Sequence, residues 1–233
     1  WTLESAAQLI VTRARLMQAL PSGGGMLAVR LSADACEQRL AAFDATRISI
    51  AALNGTEDTV IAGEATLLET LRQQLAAEDI SARPLQVSHA FHSPLLEPML
   101  DDWQQACRQV ASKSPSIPFV STMTGEALTL PTDADYWRHH ARQPVQFWPA
   151  LKRKAEQGDL LLEIGPNSIL TALAQRHLLQ HPASHPGNVV GSLRRGAHEV
   201  MTLREAMQTL YLQGVDFHWD DPQAATFSSP MLS

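Results

Sequence analysis

Between residues 26 and 87 the apolar pattern changes period repeatedly, and that alternation limits the fold more than any other feature of the chain. Residues 26–31 read as a strand. Ser32 then offers an N-cap for a helix carrying Cys36, Leu40 and Phe43. Residues 48–53 form a second strand, and Asn54-Gly55-Thr56-Glu57-Asp58 is a turn. A third strand covers 59–62 and is ended by Gly63. Residues 65–77 place Leu67, Leu68, Leu71 and Leu75 on one helical face. A fourth strand covers 82–87. The order is βαββαβ, the ferredoxin-like pattern.

Other elements flank this block. Leu3, Ala7, Ile10, Ala14 and Met17 recur at helical spacing, with Thr2 as N-cap and Pro21-Ser22-Gly23-Gly24-Gly25 as the stop. Pro94 suits the first turn of a helix that continues through Leu96, Met99, Leu100, Trp103 and Cys107. A short strand is expected at 117–121, and Asp135 caps a helix with Tyr136 and Trp137. A helix at 147–156 is closed by Gly158. The continuous apolar run 160–164 predicts a buried strand, and Gly165-Pro166-Asn167 turns into a helix at 168–177. A Pro-rich loop (181–186), a strand (189–193) and a helix (200–213) follow. The tail from Asp220 reads as linker. The class is α/β.

Composition excludes several functions. The formal net charge is -6 and the basic residues are scattered, so no clustered face awaits nucleic acid. No apolar run approaches the roughly 20 residues that span a bilayer. The two cysteines, Cys36 and Cys107, fit neither a disulfide framework nor a metal motif, and a cytoplasmic setting is expected. The chain opens Trp-Thr-Leu-Glu, as a piece from inside a larger protein would.

Chemistry concentrates in Val87-Ser88-His89-Ala90-Phe91-His92-Ser93-Pro94. An imidazole titrates near neutrality, and His92 stands between a strand end and a Ser-Pro turn, where a general base is easily presented. The local pattern alone equally allows two hydrogen-bonded loop histidines. The His-x-x-His spacing has no third ligand nearby, so a metal site is not expected. Arg13 borders the apolar face of the first helix. It suits bidentate capture of a carboxylate, or simply covers the helix stem.

Taken together, these residues resemble the C-terminal two thirds of the acyltransferase domain of modular polyketide synthases, which is similar to malonyl-CoA:acyl carrier protein transacylase. The resemblance rests on Arg13-Ala14-Arg15-Leu16-Met17-Gln18, Gly25-Met26-Leu27-Ala28-Val29, the segment 87–94, Tyr136-Trp137 with Gln143-Pro144-Val145-Gln146-Phe147, and Leu162-Glu163-Ile164-Gly165-Pro166-Asn167. It implies a ferredoxin-like small subdomain at 25–87, inserted in an α/β-hydrolase-like large subdomain. The large subdomain is incomplete here, with 1–24 supplying a helix and 88–195 the remainder; 196–233 is the linker that follows.

The same resemblance implies roles. His92 is the catalytic base. Arg13 binds the free carboxylate of the extender unit, and Met17, His89 and Phe91 line the acyl site. A backbone carbonyl at His140 orients the base. The His-Ala-Phe-His form implies malonyl over methylmalonyl, because Phe91 crowds a substituent on the α carbon. The donor is malonyl-CoA and the acceptor is the phosphopantetheine thiol of an acyl carrier protein, with no bound cofactor. Adjoining ketosynthase and other synthase domains are the implied partners.

One element of this chemistry is missing. No Gly-x-Ser-x-Gly occurs in the 233 residues, so the nucleophilic serine is expected in an N-terminal segment outside them, and the piece alone is expected to be inactive. A non-catalytic remnant that docks a carrier protein is the alternative; a pair such as His92 and Arg13 favours the enzyme.

Overall fold

The structure, a computed structural model, describes residues 1–180 and 189–217. It divides into two compact units, Trp1–Lys154 and Ala155–Ser233.

In the first unit, the alternation builds β1 (Gly24–Val29), α2 (Ala33–Leu40), β2 (Ile48–Leu53), β3 (Thr59–Glu64), α3 (Ala65–Ala77) and β4 (Ala82–Pro84). The strands form one antiparallel sheet in the order β2-β3-β1-β4. One face buries Leu27, Val29, Ile48 and Ile61 against Cys36 of α2 and Leu68, Leu71 and Leu75 of α3. Its other face is built from small residues, including Ala51, Ala62 and Ala28, and receives Ala90 and Leu95. That choice positions the site, because small side chains let the segment after β4 lie directly on the sheet. Gly24 completes the fit; a Cβ there would stand 3.0 Å from the Cβ of Ala90.

Gly63 does not end β3. The strand runs on to Glu64, and Gly63 itself pairs with Ile48 of β2. A Cβ at Gly63 would stand 2.5 Å from the carbonyl oxygen of Arg47 and 2.7 Å from Cα of Ile48, so only glycine permits this approach. Both obstacles are backbone. Gly63→Ala is therefore expected to cost about 1–3 kcal/mol, as overpacking does. The check is a fall in urea midpoint at unchanged slope; an unchanged midpoint would show that the two strands part freely.

β4 is shorter than expected: its regular pairing with β1 ends at Leu27–Pro84, and beyond it a single bond from the Leu85 amide to the Met26 carbonyl (2.9 Å) continues the contact. The helix at 33–40 is capped by Ser32, whose hydroxyl accepts from the Ala35 amide at 3.3 Å, and it stops before Phe43.

Around the sheet lie α1 (Leu3–Gln18), α4 (Glu97–Arg108), α5 (Ala134–Arg142) and α6 (Phe147–Glu156), with a 3₁₀ turn at Pro94–Leu96 and the small pair β5 (Phe119–Val120) and β6 (Ala127–Leu128). α1 is capped by Thr2 as expected, but its buried face is different. Leu9, Leu16, Met17 and Leu20 pack against Leu96, Leu100 and Trp103, whereas Leu3 is 82% and Ile10 70% exposed. The cap of α5 is Asp133, not Asp135; its carboxylate accepts from the Tyr136 amide at 2.7 Å. β6 has no counterpart in the sequence reading.

The second unit holds β7 (Leu161–Glu163), α7 (Ile169–Leu178), β8 (Val189–Gly191) and α8 (Glu199–Leu212). β7 and β8 pair in parallel. The run at 160–164 is not a fully buried strand, since Ile164 is 83% exposed. The Glu163 carboxylate accepts from the amides of Leu170 (3.1 Å) and Thr171 (2.7 Å), which occupies donors that the first turn of α7 leaves open. The Pro-rich loop and the tail from Asp220 fall outside the described residues. Among the described residues no helix is long and apolar enough to cross a membrane.

Candidate active site

After β4 the chain crosses the alanine-rich face of the sheet and reverses at His92. This residue has φ +55°, a left-handed conformation uncommon outside glycine and concentrated at functional sites. Ser93 stabilises the reversal. Its fully buried hydroxyl donates to the Ala90 carbonyl at 2.7 Å and accepts from the Leu95 amide at 3.2 Å. Ser93 is thus occupied by the turn and has no part as a nucleophile.

The His92 Nδ1 lies 2.9 Å from the carbonyl oxygen of Gln143. A carbonyl only accepts, so Nδ1 carries the proton and Nε2 keeps its lone pair. Nε2 has no hydrogen bond among the described residues. The orienting carbonyl is therefore that of Gln143, not His140. The reason is local. Gln143 precedes Pro144 and adopts φ -77°, ψ 156°, which ends α5 and swings its carbonyl away from the helix. The next residue but one anchors it. Val145 donates its amide to the Ala51 carbonyl at 2.9 Å and accepts from the Leu53 amide at 2.8 Å, a parallel bridge to β2. A second tie runs from Arg142, at the end of α5, whose Nε donates to Glu97 at 2.8 Å in the first turn of α4. Sequence reading missed both ties; the signal that could have found the carbonyl was Gln143-Pro144.

Burial pushes the His92 pKa below its ordinary value. The Gln143 hydrogen bond acts in the opposite sense, and the positive charge of Arg13 adds to the lowering. The ring is thus held in its neutral, basic form. Arg13 is half-buried, with its Nε sealed from solvent and without a hydrogen-bond partner. Among the described residues no acid pairs with it.

His140 joins this group. Its ring centroid is 6.4 Å from that of His92 and 5.1 Å from that of Trp137. Burial first, then Arg13 and His92, push its pKa down to about 4. His89 and Phe91 stand together, with ring centroids 6.2 Å apart. His89 is buried and its Nδ1 lies 3.0 Å from the Ser88 hydroxyl. Met17, one turn beyond Arg13, packs into the core beside Leu9 and Leu96. The structure thus gathers Arg13, His92 and His140, sets His89 and Phe91 as an adjacent pair, and gives Met17 a packing role. Among the described residues no three His, Cys, Asp or Glu side chains cluster as metal ligands.

This arrangement can remove a proton at Nε2 beside a cation that has no internal counter-charge. Comparison with known proteins identifies the family. Residues 1–217 match the family profile described as acyl transferase domain. Erythronolide synthase EryA2 of Saccharopolyspora erythraea is 34% identical over 233 residues, covering 98% of this chain and 6% of that protein. Mycoketide-CoA synthase of Mycobacterium tuberculosis is 35% identical over 223 residues, covering 94% of this chain and 5% of that protein. Among solved structures, the acyltransferase domain from the second module of the salinomycin polyketide synthase superposes with a TM-score of 0.86 at 36% identity, covering 98% of this chain and 54% of that one. The chain therefore spans about half of that solved domain and a small part of the whole synthases.

Proposed function

The chain belongs to the acyl transferase domain family, its relatives being polyketide synthases, and on that footing we propose that it transfers a malonyl extender unit from coenzyme A to the phosphopantetheine thiol of an acyl carrier protein. The observation that carries this reading is the His92 ring, oriented by the Gln143 carbonyl at 2.9 Å with Nε2 free, beside an Arg13 that lacks an internal anion.

The steps follow from these groups. A serine hydroxyl supplied from outside these 233 residues loses its proton to Nε2 of His92 as its oxygen attacks the thioester carbon. The Gln143 carbonyl stabilises the imidazolium that forms. The carbon–sulfur bond then breaks, and the proton passes from His92 to the departing coenzyme A sulfur. In the second half the carrier thiol gives its proton to Nε2, its sulfur attacks the acyl-serine, and the serine oxygen leaves with that proton. Arg13 holds the free carboxylate of the extender throughout. The half-buried Phe91, beside His89, crowds the α carbon; a methyl there is worth about 1–3 kcal/mol in a pocket, so malonyl is favoured over methylmalonyl without being exclusive.

The same reading assigns 25–87 to a ferredoxin-like small subdomain, which the order β2-β3-β1-β4 supports, and 1–24 with 88–195 to an α/β-hydrolase-like large one, with 196–233 as linker. The exposed Leu3 and Ile10 of α1 support a large subdomain that continues beyond these residues, since an uncovered apolar helix face marks an interaction surface. Adjoining synthase domains and a cytoplasmic setting belong to the same proposal.

The test is an intact-mass spectrum of the polypeptide that carries both this sequence and the serine segment, after incubation with equal malonyl-CoA and methylmalonyl-CoA. The expected result is a covalent acyl adduct, with malonyl in excess by about tenfold. Absence of any adduct would refute the transferase reading. An adduct with methylmalonyl in excess would refute only the role of Phe91.

A further inference from the structure

His92 and Gln143 meet through one hydrogen bond, which fixes a distance but lets the ring and the carbonyl swivel about it. The same two stretches of chain meet a second time. Five residues beyond His92, after the 3₁₀ turn whose Pro94 and Leu96 are buried, Glu97 opens α4. One residue before Gln143, Arg142 ends α5, and its Nε donates to the Glu97 carboxylate at 2.8 Å. Segments 92–97 and 142–143 are thus joined at both ends, imidazole to carbonyl at one and guanidinium to carboxylate at the other. Two crosslinks between short, stiff segments fix orientation as well as distance. One turn away, Arg138 of α5 donates to Asp101 of α4 at 2.5 Å and lies 3.9 Å from Glu97. That neighbouring pair joins the same helices but does not adjoin Gln143. The helices also have an apolar contact with its own tie, since Trp103 Nε1 donates to the Trp137 carbonyl at 2.9 Å. Ion pairs open to water add little to stability, and the Glu97 side chain is 53% and that of Arg142 22% exposed. What a pair at this place supplies is alignment.

We propose that the ion pair of Glu97 with Arg142 holds the Gln143 carbonyl in line with the His92 ring, which makes Glu97 and Arg142 positioning residues for proton transfer at Nε2. This inference rests on the transferase reading given above. Neither residue touches a reacting atom; each acts through the carbonyl that keeps the proton on Nδ1. A misaligned group loses rate even where substrate binding is intact.

The experiment uses the polypeptide that contains the serine segment. It compares Arg142→Ala, Glu97→Ala, their double variant and Arg142→Lys with Asp101→Ala, which breaks the neighbouring pair and leaves Glu97 with Arg142. Steady-state transfer from malonyl-CoA to pantetheine gives kcat and KM, and nitrogen NMR of labelled histidines gives the His92 tautomer. Arg142→Ala and Glu97→Ala are each expected to lower kcat about 10-fold with KM changed by less than about twofold. Each should also replace the single Nδ1–H form by a mixture of tautomers. The double variant should be no worse than either single one, as for two halves of one device. Arg142→Lys should recover part of the loss, since it keeps the charge without the planar fork. Asp101→Ala should stay near the unmodified protein in both readouts. An equal fall in Asp101→Ala would overturn the inference and leave both pairs as helix packing. Unchanged kcat and tautomer in Arg142→Ala would overturn it as well. Glu97→Ala also removes an acid from the first turn of α4; if it melts too low for assay, Glu97→Gln takes its place with the same expected result. An unmodified protein that transfers no malonyl would instead overturn the functional reading, and the tautomer comparison, which needs no turnover, would still decide the role of the pair.

Discussion

His92→Ala is expected to lower acyl transfer by about 10²- to 10⁴-fold, the usual contribution of a positioned general base. The geometry behind this is specific. The Gln143 carbonyl fixes the proton on Nδ1, so the ring cannot present the wrong tautomer to a hydroxyl. Alanine also relaxes the left-handed backbone demand at φ +55° very little, so the fold is expected to survive and the melting temperature to move little. A pH profile gives the complementary check. The folded pKa of His92 lies below its ordinary 6.5, chiefly through burial. A depressed pKa means that the neutral base is present above that value and lost as pH falls through it. The acidic limb of kcat/KM should therefore lie below pH 6.5, and the residual activity of His92→Ala should lack that limb. Near-normal turnover by the variant, or a limb above that ordinary value, would remove His92 from the role of base.

The second large effect is expected at Arg13. Truncation to alanine removes the cation that meets the extender carboxylate, and losing one partner of a buried charge pair costs about 2–5 kcal/mol. Malonyl kcat/KM should accordingly fall on the order of 10²-fold or more, while acetyl loading, which needs no cation, should change little. Arg13→Lys should recover only part of the loss, because an ammonium does not reproduce the planar two-point contact of a guanidinium. The measurement is a pair of steady-state profiles, one for each thioester. Equal losses for malonyl and acetyl would show that Arg13 supports the helix packing and does not read the carboxylate.

Much of this architecture is written locally and was legible. The elements from β1 to α3 follow from period changes and from caps such as Ser32, whose partner lies three residues away. Where the sequence misleads, a specific physical reason exists. α1 carries two apolar stripes, and periodicity does not say which one faces the core; Leu9, Leu16 and Leu20 pack inward, while Leu3 and Ile10 do not. Asp133 and Asp135 are both plausible caps, and only the geometry of the Tyr136 amide selects the first. His92 itself was visible as a candidate in the segment 87–94. Its orienting partner was not, because the pairing of His92 with Gln143 joins residues 51 positions apart and depends on a strand bridge that no local pattern announces. The proximity of His140, Arg13 and His92 is invisible for the same reason: three separate elements bring them together.

The bridge between Val145 and β2 has a consequence for recombination between related domains. The imidazole belongs to the segment that follows β4, its carbonyl to the segment that follows α5, and both are braced by the same four-stranded sheet. A splice that takes β2 from one parent and residues 143–145 from another divides a single hydrogen-bonded device between two ancestries. Residues 24–147 are therefore the indivisible cassette, and a chimera cut within them inherits a His92 ring whose orientation was set by a scaffold it no longer has.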